Sequence, residues 1–170
     1  MQAVWLWRTL AHSFVVAEGM IWLRAALWAP YLNFGSRGDV VRIFLVEDNP
    51  MVRAHLRAVL ETRQDWKVVG EAEDGRRAVE TWNEHAPSVT VLDFVMPVMS
   101  GLEAGRNLSK QHPESPVLMV TIDPSPQLEA EAKRAGIRGL VQKADVGSLV
   151  KAVETVLRGG TYFHEEIAAA

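Results

Sequence analysis

Five polar residues close or follow short apolar runs, and as a set they could transfer a phosphoryl group to a carboxylate. Glu47 and Asp48 follow "VVRIFLV", Asp93 ends "SVTVLD", Thr121 ends "PVLMVT" and Lys143 ends "GLVQK". Three carboxylates brought together repel one another unless a cation intervenes. A hard divalent ion with oxygen ligands answers that repulsion, and Mg²⁺ suits a site that keeps waters and meets phosphate oxygens. In such a pocket Asp93 is the accepting carboxylate, Thr121 offers a hydroxyl to a phosphoryl oxygen, and Lys143 supplies a fixed positive charge. Taken singly, each residue has a plainer reading. An acid at a strand end is often a solvated turn residue, Glu47–Asp48–Asn49–Pro50 alone could be a helix N-cap, and Lys143 alone a surface lysine. The chemistry rests on the whole set standing at the same end of its strands.

The elements that must position them alternate regularly. Residues 40–46 form a compact β-rich run and close in a turn whose Pro50 suits a first helical turn. "MVRAHLRAVLE" sets Val52, Leu56, Val59 and Leu60 at helical spacing. "WKVVGEA", "SVTVLD", "PVLMVT" and "GLVQK" read as four more strands. "DGRRAVETWNEH", "GLEAGRNLSKQ", "SPQLEAEAKRAG" and "DVGSLVKAVETVLRGG" read as helices. Gly105 costs the third helix about 1 kcal/mol relative to Ala, and Gly136 suits a C-cap. Strand and helix repeated five times predict an α/β fold with a parallel sheet covered on both faces and right-handed crossovers. Ligands of such sheets bind beyond the carboxyl ends of the strands, where all five polar residues would converge.

Composition narrows the alternatives. The chain has 170 residues, nearly half of them apolar (48%), enough for one domain with an extension. A net charge of -3 and no basic cluster argue against nucleic-acid binding by this chain. Cysteine is absent, which excludes disulfides, zinc–thiolate sites and Cys nucleophiles and fits a cytoplasmic location.

The segments "VRIFLVEDNPMVR", "VLDFVMPVMSGLEA", "VLMVT" and "GIRGLVQKAD" resemble the receiver domain of bacterial two-component response regulators. With "GGTYFHEE", they point to the LuxR-type subgroup. The most specific piece is DxxMPxxxG, carried by Asp93, Met96, Pro97 and Gly101. The resemblance covers residues 40–163 and implies a doubly wound (βα)5 flavodoxin-like sheet of five parallel strands in the order 2-1-3-4-5, preceded by an N-terminal extension. It implies a phospho-accepting module, with Asp93 the acceptor. Asp48 and Asp93 would bind Mg²⁺ directly, Glu47 through water, and the Val95 backbone carbonyl would complete the protein ligands. Lys143 would pair with the acceptor or its phosphoryl group, and Thr121 would move to contact that group. The donor would be a phosphohistidine on a sensor histidine kinase. A homodimer through the fourth helix, fifth strand and fifth helix would be a further partnership. Pro97 and Gly101 are expected to shape the loop so that Asp93 is presented rather than buried, with glycine supplying unusual backbone angles.

Two positions depart from the resemblance. Ile122 follows Thr121 where a small residue is usual, which is expected to narrow access to Asp93. Leu140 stands three residues before Lys143, where the family often has an aromatic. These departures keep a pseudo-receiver that only binds partners in play. Val95 offers no side chain to position an attacking water, so slow self-dephosphorylation is expected. The same Val95 disfavours a phosphatase, which would need a second carboxylate two residues after its nucleophile.

The domain plan is a Trp-rich extension over residues 1–38, a receiver over 39–158, and a truncated linker over 159–170. The extension is no clean membrane span, because Arg8, His12, Glu18 and Arg24 interrupt it. It reads as an amphipathic helix on a membrane or partner, a helix packed on the receiver or in a dimer, or a translated upstream region with the start further along, for example at Met20. The carboxyl end resembles a linker toward a helix-turn-helix domain for which no residues follow. A DNA-binding regulator that has lost that domain is therefore the alternative to a stand-alone receiver. His55, His85, His112 and His164 show no metal spacing.

Overall fold

The computed structural model describes residues 40–163. The readings placed on the N-terminal extension and on residues 164–170 lie outside the described residues.

Five strands and five helices alternate along the chain: β1 (Val41–Val46), α1 (Pro50–Leu60), β2 (Trp66–Ala72), α2 (Gly75–His85), β3 (Val89–Asp93), α3 (Gly101–Gln111), β4 (Val117–Thr121), α4 (Pro126–Arg134), β5 (Gly139–Gln142) and α5 (Val146–Leu157). The strands form one parallel sheet in the order β2-β1-β3-β4-β5. This is the doubly wound order the resemblance implied. β3 and β4 are buried at every residue, as central strands covered on both faces must be.

Side-chain caps start all five helices at the end of the sheet where the strands stop. Asn49 accepts from the amides of Met51 and Val52, Asp74 from Arg77, Ser100 from Glu103, Ser125 from Leu128 and Asp145 from Ser148. Each such cap contributes about 1 kcal/mol. Pro50 and Pro126 occupy first turns, where a missing N–H costs nothing. At the other end of α4, Gly136 takes φ 83 and Ile137 N–H donates to Ala132 O at 3.0 Å, so the expected glycine terminus is present.

Two apolar layers sandwich the sheet. One joins Ile43, Leu45, Val91 and Val120 to Leu56 and Leu60 of α1 and to Leu149 and Val153 of α5. The other joins Phe44, Leu92, Met119 and Leu140 to Ala78 and Trp82 of α2, Ala104 and Leu108 of α3, and Leu128 and Ala132 of α4. Between Ile43 and Phe44 the register of β2 slips, so that Ile43 pairs with Val68 but Phe44 with Gly70. Trp66 and Val68 consequently face the first layer and Ala72 the second. α3 forms with Gly105 inside it. A Cβ there would come within 2.7 Å of Ile137 Cδ1, so the glycine lets α3 close onto the turn after α4.

The chain does not leave the domain after α5. Residues 161–163 return as a strap along the free edge of β5. Leu140 N–H donates to Tyr162 O at 2.8 Å and Tyr162 N–H to Arg138 O at 2.9 Å, a single parallel bridge between Gly139 and Tyr162. Phe163 is buried in the second layer, with the Lys133 ammonium 4.8 Å from its ring centroid.

Candidate functional site

The carboxyl ends of β1, β3 and β5 meet in one pocket. β1 delivers Glu47, which is 1% exposed, and β3 delivers Asp93, which is 3% exposed. Lys143, just past β5, reaches both: its Nζ lies 2.9 Å from Asp93 Oδ1 and 2.7 Å from Glu47 Oε2. Beyond this ion pair the buried Glu47 Oε2 has no other partner among the described residues. Glu47, Asp48 and Asp93 each offer a carboxylate oxygen within 4.8 Å of the others. Asp48 is the exposed member.

The pocket holds more negative charge than it neutralises. Burial pushes the Asp93 carboxyl above its ordinary range, against the contact with Lys143 and the N–H groups of Val95 and Phe94, which hold it down. Burial likewise raises Glu47, with the Asp93 charge adding to the rise and Lys143 opposing it. Burial alone would lower Lys143, but Glu47 and Asp93 together leave it raised. A divalent cation meets this surplus. The donor set is all oxygen, one ligand faces solvent, and three carboxylates share the single ammonium of Lys143. Those properties fit Mg²⁺ and not a soft metal.

Thr121 ends β4 at the same edge and is buried. Its carbonyl accepts from Lys143 N–H at 2.7 Å, and the neighbouring Val120 carbonyl accepts from Phe94 N–H at 2.9 Å. The backbone therefore locks the ends of β3, β4 and β5 together. Two residues outside the expected set brace the pocket. Arg53 donates a hydrogen bond to the Glu47 carbonyl from the first turns of α1 and pairs with Glu71 at 3.4 Å. Gln142 Nε2 donates to Ile122 O at 3.2 Å. Arg53 lies on a helix face and Gln142 inside a strand, so neither closes an apolar run as the other site residues do.

The loop after β3 corrects one expectation. Asp93 is buried at the floor of the pocket rather than presented to solvent. Gly101 is required for close approach and not for unusual backbone angles: a Cβ there would sit 1.9 Å from Asp93 O. The residue that takes left-handed backbone in this loop is Val98, at φ 66, a conformation costly for a β-branched side chain. Around the buried charges, apolar side chains are exposed beside the polar Asp48, Asn49 and Asp123. Met51, Val95, Val98 and Ile122 are exposed, Ile122 at 77%. Leu140, in contrast, is fully packed in the second layer.

A family model of the response regulator receiver domain matches residues 43–154. The Transcriptional regulatory protein DegU of Brevibacillus brevis is 30% identical over 137 residues, which cover 80% of this chain and 58% of that protein. The response regulator UvrY of Escherichia coli (strain K12) is 34% identical over 130 residues, 76% of this chain and 60% of that protein. A LuxR-family two-component response regulator from Aurantimonas sp. SI85-9A1 superposes with a TM-score of 0.72 at 32% identity, covering 77% of this chain and 94% of that one. The signal receiver domain of the putative response regulator NarL from Mycobacterium tuberculosis superposes at 0.68 with 29% identity, covering 72% and 99%. The chain belongs to the response regulator receiver family, the signalling modules of two-component systems. It spans about three fifths of the length of the curated relatives it matches. No helix among the described residues is long and apolar enough to cross a membrane.

Proposed function

We propose that Asp93 accepts a phosphoryl group from a phosphohistidine of a sensor histidine kinase. The observation that carries this is the buried Asp93 carboxylate held 2.9 Å from Lys143 Nζ inside a three-carboxylate cluster. A carboxylate oxygen of Asp93 attacks phosphorus. The new P–O bond forms as the P–N bond breaks, and the imidazole leaves with the electron pair. Lys143 is placed to follow the charge from the carboxylate onto the phosphoryl oxygens, and the Thr121 hydroxyl is assigned to one of those oxygens. Asp48 and Asp93, with Glu47 through water and the Val95 carbonyl, would hold Mg²⁺, which when bound offsets charge on the transferring group. Dephosphorylation is slow in this reading, because the side chain two residues past the acceptor is the exposed, unreactive Val95.

The α4–β5–α5 face, including the strap, is the surface assigned to a second copy. The test of the acceptor is phosphorylation of the full chain by acetyl phosphate and Mg²⁺. Wild type incorporates acid-labile phosphate and Asp93→Asn incorporates none; undiminished labelling of that variant sinks the assignment.

A further inference from the structure

A cavity lies at the opposite end of the sheet from Asp93, where β4 and β5 begin. It encloses about 330 Å³ between the end of α3, the turn that follows it, the end of α4 and the strap. That volume falls at the small end of the range for ligand pockets. Pro113, Pro116 and Gly136 line it as short walls, the prolines stiffened by their rings. Ile137 and Phe163, each 2% exposed, form its floor. Lys133 and Arg138 are exposed at its rim, and none of the residues lining it is acidic. In a chain of net charge -3, two cations over an apolar floor are a local reversal of sign.

Three nearby groups could cancel those cations, and each is engaged elsewhere. Two are helix carboxyl ends, which carry partial negative charge. At α4 the carbonyls of Ala132 and Lys133 accept from Ile137 N–H at 3.0 Å and Gly136 N–H at 3.1 Å, and at α3 the His112 carbonyl accepts from Ser115 N–H at 3.1 Å. The third is Glu114, whose carboxylate lies 3.8 Å from His112 Nδ1 and outside the lining. Arg138 is tied to the sheet through its backbone, its N–H donating to Val117 O and its carbonyl accepting from Tyr162 N–H, both at 2.9 Å. Its guanidinium is thereby held at the mouth without being used by the fold. On the wall, the Ser109 hydroxyl is buried with no hydrogen-bond partner among the described residues, a cost that a ligand acceptor would remove.

We propose that this cavity binds a small aromatic carboxylate. The ring lies among Pro116, Ile137 and Phe163, and the carboxylate takes the planar fork of Arg138, which matches it with two parallel hydrogen bonds. Ser109 donates to the ligand once its χ1 turns inward. Stiff walls favour a ring over a flexible chain, because a rigid ligand loses less freedom on binding. The site shares no residue with the acceptor pocket and does not depend on the reading given to Asp93.

Amide NMR of the full chain with benzoate tests the proposal. Benzoate should shift the amides of Gly136, Arg138 and Phe163 along a saturable curve with a midpoint in the millimolar range, the scale for a ligand of so few atoms. Benzylamine, of similar shape and opposite charge, should leave those amides in place, and acetate, which lacks the ring, should bind about tenfold more weakly. Arg138→Gln should weaken benzoate about tenfold and Arg138→Lys by less, since an ammonium keeps the charge and loses the fork. Ser109→Ala should weaken it about fivefold. Shifts that never saturate overturn the proposal, as do equal shifts from benzylamine. Wild-type affinity in Arg138→Gln, with the amides of Val91 and Val120 unmoved to show an intact fold, overturns it as well. Wild-type affinity in Ser109→Ala overturns the part given to that hydroxyl.

Discussion

At the carboxyl ends of the strands, Glu47, Asp93 and Thr121 are buried while Met51, Val95, Val98 and Ile122 face outward. At the amino ends the polar groups serve the chain. Arg42 donates to the carbonyls of His85 and Ala86, Ser115 Oγ donates to Pro87 O at 2.9 Å, and Trp82 Nε1 donates to Thr90 Oγ1 at 3.2 Å. His112 lies flat on Trp82 with ring centroids 3.5 Å apart. One end thus buries charge that its neighbours only partly neutralise and exposes oil. The other pairs Arg42, Ser115 and Trp82 with the chain and leaves the Ser109 hydroxyl as its exception. If Asp93 is the acceptor proposed above, the difference separates residues held for chemistry from residues held for stability, and substitutions at the two ends should diverge accordingly.

The largest divergence is expected at Asp93. Asp93→Asn loses phosphate labelling entirely, yet its urea midpoint should rise. A carboxyl whose folded pKa is raised resists ionisation in the fold, so removing the charge relieves the native state at neutral pH. A midpoint below wild type would erase the contrast between the ends. Gly101→Ala comes next, costing about 3 kcal/mol or more from overpacking against the Asp93 carbonyl. Gly147→Ala, whose Cβ would meet only Asp145 Oδ1 at 3.7 Å, should instead stabilise by about 0.5–1 kcal/mol. Urea unfolding of the two variants side by side checks the pair.

Ser115→Ala, at the amino end, should destabilise by about 1–2 kcal/mol by stripping Pro87 O of its donor, with labelling of Asp93 unchanged. Impaired labelling at full occupancy of the fold would show that the two ends are not independent. The smallest effect is expected from His112. Burial lowers its pKa, with Glu114 opposing, so the fold favours the neutral ring. Its contribution is complete above the ordinary histidine pKa and declines as pH falls below about 6.5. His112→Gln should flatten the fall in urea midpoint between pH 7 and 5. A slope equal to wild type there would remove His112 as its source.

The alternation of apolar runs made all ten elements legible in the sequence, because strands buried on both faces leave near-continuous apolar stretches that polar helix faces separate. The site was legible for the same reason: Glu47, Asp93, Thr121 and Lys143 interrupt or terminate those runs. What stayed hidden depends on contacts between distant segments. Gly105 looked like a flaw in α3 until Ile137 supplied the atom it makes room for. "TYF" carries no periodicity long enough to announce that it pairs along the edge of β5. The left-handed backbone expected of Gly101 falls to Val98 instead, because a glycine pattern cannot distinguish a need for space from a need for such backbone. The depth of Asp93 likewise depends on how the β3–α3 loop folds back, which spacing does not encode.

The slip in β2 has a consequence for length. Because Val69 intervenes between the partners of Ile43 and Phe44, the strand changes allegiance midway, and the parity of its side chains is opposite on either side of that point. Removing one residue there would not merely shorten an edge. It would restore a single alternation and turn either the Trp66–Val68 half or the Ala72 half toward the wrong layer. Single-residue insertions and deletions across 66–72 should be far less tolerated than substitutions, an arithmetic constraint on how this edge of the domain can vary.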